Sequence, residues 1–174
     1  MKIAIINGSA RKGNTSTAIQ AFAKGASNGN EIEILAADQL RIAPCKGCGL
    51  CQCSKGCVDQ DDMNPTIDKL VFADVIVFAT PVYWWGISAQ LKLEIDKCYC
   101  KGKYLNGKKV GLLIVGAASV DSIQYELINK QFDCIAEYLS WNMLFQKSYS
   151  AFDRADLRYN EKAVAELKAL GSNL

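Results

Sequence analysis

Histidine is absent from the 174-residue sequence. It is the commonest general base and the commonest metal ligand in proteins, so its absence excludes Ser-His-Asp and Cys-His catalysis and any zinc site built on imidazole. Any catalysis by this chain must therefore use other groups.

Long hydrophobic runs and charge of one sign are also lacking. No apolar run approaches the roughly 18 residues of a membrane helix, and 20 basic residues nearly balance 18 acidic ones. Basic clusters are no longer than Lys108-Lys109, so we expect neither a membrane nor a nucleic-acid partner. The apolar stretch Ile3–Ile6 is too short for a signal peptide, which predicts a cytoplasmic protein with eight reduced cysteines.

Five short apolar segments recur at the spacing typical of βαβ units, and segments with helical periodicity lie between them. The predicted strands are Ile3–Ile6, Ile32–Leu35, Val75–Ala79, Val110–Val115 and Met143–Phe145. We expect Asn64 to be the N-cap of the second helix and Pro65 its first residue. The pattern predicts one α/β domain over residues 1–174, a three-layer sandwich whose five-stranded parallel sheet has the order 2-1-3-4-5. In such sheets ligands bind at the carboxyl ends of strands 1 and 3.

The loop after the first strand has the composition of a phosphate site. It spans residues 9–16 and opens the first helix, where free N–H groups and the helix dipole favour an anion. Three hydroxyl side chains and Arg11 can add hydrogen-bond donors. The lysine of a nucleoside-triphosphatase phosphate loop is missing, and so is the second glycine of a dinucleotide-binding loop. A single terminal phosphate is the predicted ligand. The alternative is an ordinary turn in which Asn14 or Thr15 caps the helix.

Two further loops follow strands 3 and 4. Residues 81–86 contain three consecutive aromatic residues, Tyr83, Trp84 and Trp85, which could flank a flat heteroaromatic ring. The alternatives for this segment are a buried aromatic cluster or a dimer contact. The small residues that begin with Gly116 and Ala117 would let a ring lie against the backbone.

Together these motifs resemble the NADPH-dependent FMN reductase branch of the flavodoxin-like superfamily over essentially the whole chain. The resemblance rests on Gly8-Ser9-x-Arg11-x-Gly13-Asn14-Thr15, Asp61-Asp62-Met63, Ala73-Asp74 and Pro81-Val82-Tyr83-Trp84. It implies a flavodoxin-like fold that binds FMN. The residues implied to hold the phosphate are Ser9, Arg11, Asn14, Thr15 and Ser16. Those implied to line the isoalloxazine ring are Pro81, Val82, Tyr83, Trp84 and Trp85, with Gly116 and Ala117 nearby.

A long loop at about residues 43–62 contains the run Cys45-x2-Cys48-x2-Cys51-x5-Cys57. Closely spaced thiolates of this kind bind 4Fe–4S clusters, and the run resembles that of the iron–sulfur flavoproteins, in which a cluster passes electrons to FMN. Two alternatives stay open. The same four thiolates could bind zinc, or the cysteines could be metal-free and pack or cross-link.

The resemblance implies an enzyme in which NAD(P)H delivers a hydride to FMN and the reduced flavin passes electrons to a small-molecule or protein acceptor. Because the cofactor carries this chemistry, no side chain needs to act as a catalytic acid or base. Two other functions remain: an FMN electron-transfer protein without NAD(P)H activity, and a redox or metal sensor centred on the cysteine loop. Trp84-Trp85 and the long loop would expose apolar surface, which predicts a homodimer or homotetramer.

Overall fold

The computed structural model describes residues 1–174 and contains one five-stranded parallel sheet. Its strands are β1 (Lys2–Asn7), β2 (Glu31–Ala36), β3 (Val75–Pro81), β4 (Lys109–Gly116) and β5 (Asn142–Ser150). They are arranged in the order β2-β1-β3-β4-β5. This arrangement confirms the predicted flavodoxin-like fold.

Burial explains which strands were easy to recognise. All seven residues of β3 are buried, as are all residues of β4 after Lys109, because helices cover both faces of the sheet centre. The edge strand β5 continues to Ser150, five residues beyond its predicted end at Phe145. The residues that follow Phe145 are mostly polar and only half-buried, so apolar patterning stopped short of the true end.

Seven helices flank the sheet: α1 (Asn14–Ala26), α2 (Met63–Phe72), α3 (Ala89–Cys98), α4 (Gly102–Leu105), α5 (Ile123–Leu139), α6 (Asp156–Tyr159) and α7 (Glu161–Ser172). One hydrophobic core lies between the sheet and α1, α6 and α7. A second core lies on the opposite face, under α2 to α5. None of the helices has both the length and the apolar character needed to cross a membrane.

The predicted start of the second helix was wrong. Helix α2 begins at Met63 after Asp62, whose carbonyl accepts from the N–H of Thr66 at 3.3 Å. Pro65 is the third helical residue, a position where its missing N–H removes no helical hydrogen bond. Asn64 does not cap the helix because its side chain bonds the backbone of Cys57 instead.

Candidate functional site

The loop between β1 and α1 presents unpaired backbone donors at the start of α1. Gly13 is the N-cap residue and provides no side-chain cap. The N–H groups of Asn14, Thr15 and Ser16 have no acceptor within the chain. Three free amides at a helix N-terminus form an anion site. The alternative in which the side chain of Asn14 or Thr15 caps the helix is therefore wrong.

The loop also holds its own shape through two serine hydroxyls. Ser9 Oγ and Ser16 Oγ donate to the carbonyl oxygen of Arg11 at 3.2 and 3.1 Å, and Ser9 Oγ accepts from the N–H of Arg11 at 3.2 Å. These bonds curl the chain around the first turn of α1. Both hydroxyls lie in the predicted loop, and their contact with a phosphate stays a prediction.

Asn14 has a structural bond that the sequence did not predict. Its Nδ2 donates to the carbonyl oxygen of Asp153 at 2.7 Å, and its Oδ1 accepts from the N–H of Leu157 at 3.1 Å. The side chain thus attaches the phosphate loop to the segment after β5. Its backbone N–H remains free for a ligand.

Two buried hydroxyls that the sequence analysis missed join the ends of β1 and β3. Ser88 Oγ donates to the carbonyl oxygen of Gly8 at 2.6 Å and accepts from the N–H of Leu91 at 3.2 Å, as the N-cap of α3. Thr80 Oγ1 accepts from the N–H of Ser88 at 3.1 Å. A Cβ at Gly8 would lie 2.9 Å from Leu91 Cβ, so only glycine fits this junction. A serine directly before an apolar-periodic segment was the signal that could have found Ser88.

The aromatic segment after β3 forms a tight turn. Tyr83 and Gly86 exchange backbone hydrogen bonds at 2.9 and 3.0 Å, and Trp84 and Trp85 between them have φ values of 47° and 63°. Both central residues are left-handed, which is the geometry of a type I′ turn and favours Asn-Gly. Bulky residues there are strained, and such strain is concentrated at functional sites.

The exposure of the two tryptophans decides whether this aromatic turn, residues 83–86, is a buried aromatic cluster or a contact for a ligand or partner. The side chain of Trp84 is 92% exposed and that of Trp85 is 54% exposed. Their rings pack against each other, edge to face, at a centroid distance of 5.5 Å. A buried aromatic cluster is therefore wrong, and a ligand or partner contact remains.

The predicted loops meet at one edge of the sheet. The guanidinium carbon of Arg11 lies 5.6 Å from the ring centroid of Tyr83, a cation–π distance that joins the first two loops. The N–H of Val82 donates to the carbonyl of Val115 at 2.8 Å. A Cβ at Gly116 would lie 2.8 Å from Val82 Cγ2, so Gly116 admits Val82 behind the aromatic turn. Pro81 is buried beside them, and Ala117 is exposed at the rim.

The cysteine-rich loop, residues 43–62, is attached by polar side chains instead. The fully buried ammonium of Lys97 bonds Asp59 at 3.0 Å and also bonds Asp61. Asp61 Oδ2 further accepts from the N–H of Ala43 at 3.0 Å, which closes the base of the loop. Asn64 bonds both the N–H and the carbonyl of Cys57, at 2.9 and 2.8 Å. These contacts hold a loop whose only regular element is one 3-10 turn at Leu50–Cys53.

The ammonium of Lys97 and the carboxylates of Asp59 and Asp61 stabilise one another in their charged forms. Burial acts to raise the pKa of Asp61, but its hydrogen bonds from Lys97 and from two backbone amides outweigh that effect, so the pKa lies below the ordinary 3.8. The hydrogen bond from Lys97 likewise lowers the pKa of Asp59. Burial alone would lower the pKa of Lys97, yet its bonds to the two carboxylates raise it. All three groups are ionised at neutral pH.

The four predicted metal ligands are not gathered. Cys45 and Cys48 are exposed, whereas Cys51 and Cys57 are partly buried. No group of three or more potential metal-binding side chains lies close enough to hold a metal ion. As arranged here, the residues do not fit a 4Fe–4S cluster. The assignment of these four cysteines stays a prediction.

Helix α3 runs from the loops at the edge of the sheet to the cysteine-rich loop. It contains a buried acid that the sequence analysis missed. The side chain of Glu94 is fully buried, and neither carboxylate oxygen has a hydrogen-bond partner. Burial raises its pKa to about 8, so the group is mostly protonated at neutral pH. Its position on the apolar face between Leu91 and Cys98 was the available signal.

A comparison with family models identifies the chain. The model described as NADPH-dependent FMN reductase matches residues 1–135. The chain belongs to the NADPH-dependent FMN reductase family. Membership agrees with the two features just described, the free amides at α1 and the aromatic turn after β3, both of which fall within the matched residues.

Individual relatives of this family member include archaeal iron–sulfur flavoproteins. One from Methanocaldococcus jannaschii is 35% identical over 122 residues, which cover 68% of this chain and 63% of that protein. One from Methanosarcina thermophila is 38% identical over 99 residues, which cover 56% of this chain and 52% of that protein. The chain thus matches between about half and two thirds of the length of these curated relatives.

The fold has solved counterparts. An NAD(P)H:quinone oxidoreductase from Methanothermobacter marburgensis superposes with a TM-score of 0.76 at 17% identity, over 99% of this chain and 98% of that one. At this identity the likeness concerns the fold alone. It agrees with the three-layer arrangement described above.

Proposed function

We propose that the protein is an FMN-dependent oxidoreductase that oxidises NAD(P)H and passes the electrons to a small-molecule or protein acceptor. The observation that carries this proposal is the meeting of an anion site and a strained, exposed aromatic turn at one edge of the sheet. FMN combines a terminal phosphate with a flat ring, so its two ends match the two features. Family membership supports the same cofactor.

The residues present fit FMN by the chemistry of their donors. The free N–H groups of Asn14, Thr15 and Ser16 would donate hydrogen bonds to the phosphate oxygens, with the guanidinium of Arg11 supplying a charge-assisted bond. Tyr83, Trp84 and Trp85 would bind the ring and exclude water from one side of it. When bound, FMN supplies the hydride and electron chemistry.

The aromatic turn also supports assembly. Trp84 is almost wholly exposed in the single chain, so a bound ring beside it would stay open to water on its outer side. We therefore propose a homodimer or homotetramer in which a neighbouring subunit covers this edge. Sedimentation of the FMN-loaded protein tests this separately from flavin binding.

The first experiment is an ultraviolet–visible spectrum of protein purified without oxygen, with iron and sulfide assays, recorded before and after NADPH or NADH is added. Stoichiometric FMN whose absorbance bleaches with either nucleotide supports the proposal. Iron and sulfide in the same sample would support the predicted cluster, for which Cys45, Cys48, Cys51 and Cys57 are the predicted ligands. FMN that binds but stays oxidised would favour an electron-transfer protein, and failure to bind FMN would contradict the proposal.

A variant pair tests the predicted phosphate contact. Arg11→Gln should weaken FMN binding by about tenfold or more, because it removes a charge-assisted bond and the contact with Tyr83. Lys12→Gln is the matched control, since Lys12 is exposed in the same loop and forms no ion pair. Quenching of FMN fluorescence measures both affinities. Equal effects of the two substitutions would show that only the general charge of the loop matters.

A further inference from the structure

A large cavity lies away from the two loops of the proposed flavin site, residues 8–16 and 81–86 (the flavin loops), on the face of the sheet covered by α2 to α5. It has a volume of about 1100 Å³, and no residue of the loops 8–16 or 81–86 lines it. Helix α4, a single turn of four residues, contributes Gly102, Lys103 and Tyr104 to its lining. Its floor includes Phe78 of β3 and Trp141, both almost fully buried.

The walls of this cavity are aromatic to an unusual degree. Phe72 and Tyr138 are 75% and 73% exposed, and Tyr99 and Tyr104 are each more than half exposed. Four large aromatic side chains thus surround an opening whose floor belongs to the hydrophobic core. Small-molecule sites are concave, mostly apolar and commonly about 300–1,000 Å³ in volume. The flat walls favour a flat ring system that can stack on them.

The charges at the rim favour an anion. Lys55, Lys101 and Lys103 line the cavity, and the only acidic residue among its lining residues is Asp68. Asp68 already pairs with Lys101. Lys55 and Lys103 have no carboxylate partner, and the ammonium of Lys103 lies over the ring of Tyr104 at 4.9 Å from its centroid. Three cations against one carboxylate leave a net charge of +2 around an aromatic pocket.

We propose that this cavity, lined by Phe72, Phe78, Tyr104, Tyr138, Trp141 and the lysines, binds a small planar aromatic anion such as a fused-ring carboxylate, at a site separate from the flavin. A second copy of the chain is the other possible occupant. A symmetric interface places the same surface on both sides, so the unpaired lysines of one copy would face those of the other. The small anion neutralises them instead.

The test uses FMN-loaded protein and 2-naphthoate, with heat of binding as the signal. We expect one saturable site per chain. The uncharged analogue 2-naphthalenemethanol should bind about tenfold more weakly, because it stacks equally well but lacks the charge. The double variant Lys55→Gln/Lys103→Gln should weaken naphthoate binding to the level of the uncharged analogue. Lys162→Gln/Lys168→Gln, on the exposed side of α7, is the matched control and should bind as the unaltered protein does.

A second variant addresses the volume of the cavity. Val71 lines the cavity from the end of α2 and is partly buried, so Val71→Trp should narrow the space and weaken naphthoate binding. Retained FMN binding by each variant shows that the fold persists. Should Val71→Trp fail to fold, the lysine variants still decide the question.

Three results would overturn the proposal. The first is the absence of saturable naphthoate binding. The second is naphthoate binding that releases the bound FMN, which would place the anion at the flavin loops instead. The third is a dimer, seen by sedimentation, that Val71→Trp dissociates while naphthoate does not bind, which would assign the cavity to a second copy. Because the assay starts from flavin-loaded protein, failure here leaves the proposed flavin site unaffected.

Discussion

The two ends of helix α3 are attached to the rest of the molecule by different interactions. At its start, the buried hydroxyl of Ser88 bonds only backbone groups, those of Gly8 and Leu91. At its end, the buried ammonium of Lys97 pairs with the carboxylates of Asp59 and Asp61. The first attachment positions the flavin loops, and the second attaches the cysteine-rich loop.

The difference follows from what each region can offer. The flavin loops are short and follow strands, so their backbone is already positioned and neutral hydroxyls suffice to join them. The cysteine-rich loop has almost no backbone hydrogen-bond ladder, and its order depends on a few strong charged contacts. We expect the flavin loops to be insensitive to pH and the cysteine-rich loop to loosen once its acids are protonated, below pH 3.8.

The largest effect should come from Glu94, between the two ends. Its folded pKa of about 8 exceeds the ordinary 4.5, so the folded protein binds more protons between these values and the free energy of unfolding falls as pH rises through them. Glu94→Gln should remove this fall. Relative to the unaltered protein, the variant should therefore gain about 4 kcal/mol in free energy of unfolding between pH 4 and pH 9. Urea unfolding at both pH values measures the gain. Glu126→Gln, at an exposed residue of α5, should leave the free energy of unfolding unchanged at both pH values.

Lys97→Met should have the next largest effect, confined to the cysteine-rich loop. Loss of the buried ammonium leaves Asp61 without its charge partner and should cost about 2 kcal/mol, less than a fully buried pair because Asp59 is partly exposed. Thiol labelling of Cys57 should accelerate, whereas FMN affinity should stay unchanged. Lys92→Met, which removes an exposed pair with Asp96, is the control. A loss of FMN affinity in Lys97→Met that accompanies the faster labelling of Cys57 would show that the two ends of α3 are not independent.

Ser88→Ala should produce the opposite pattern. It leaves the buried carbonyl of Gly8 without its donor and should destabilise the protein by about 1–2 kcal/mol. FMN affinity should fall, and labelling of Cys57 should not change. Ser27→Ala removes a comparable but exposed bond to Lys24 and serves as control. If FMN binding survives Ser88→Ala, the junction of Gly8, Thr80 and Ser88 is structural only.

The smallest effect on stability should come from the aromatic turn. Replacing Trp84 by Asn and Trp85 by Gly introduces the residues that a type I′ turn favours, so the free energy of unfolding should rise by about 1 kcal/mol. FMN affinity should nevertheless fall if the two rings bind the flavin. Phe152→Asn, at another highly exposed aromatic residue, is the control for lost apolar surface. Unchanged FMN affinity would leave these rings to subunit contact alone.

The loops of the proposed flavin site could be recognised in the sequence because their parts are local. Residues 9–16 and 81–86 follow directly after apolar strands, and parallel strands bring their carboxyl ends to one edge. The bonds of Asn14 to Asp153 and Leu157 were not predictable, since more than a hundred positions separate the partners. The helix start at Met63 was missed because Asn64 pairs with Cys57, outside the helix.

The sequence by itself determined the strands, their order and the composition of the loops, because burial on both faces and turn chemistry leave local patterns. Only the tertiary structure decided that Lys97 and Glu94 are buried, that Trp84 is exposed in a strained turn, and that the four predicted metal ligands are not gathered. The cavity beside the short helix α4 is likewise a feature of the tertiary structure alone. Each of these features depends on which distant segment packs against the residue, and local patterning does not record that.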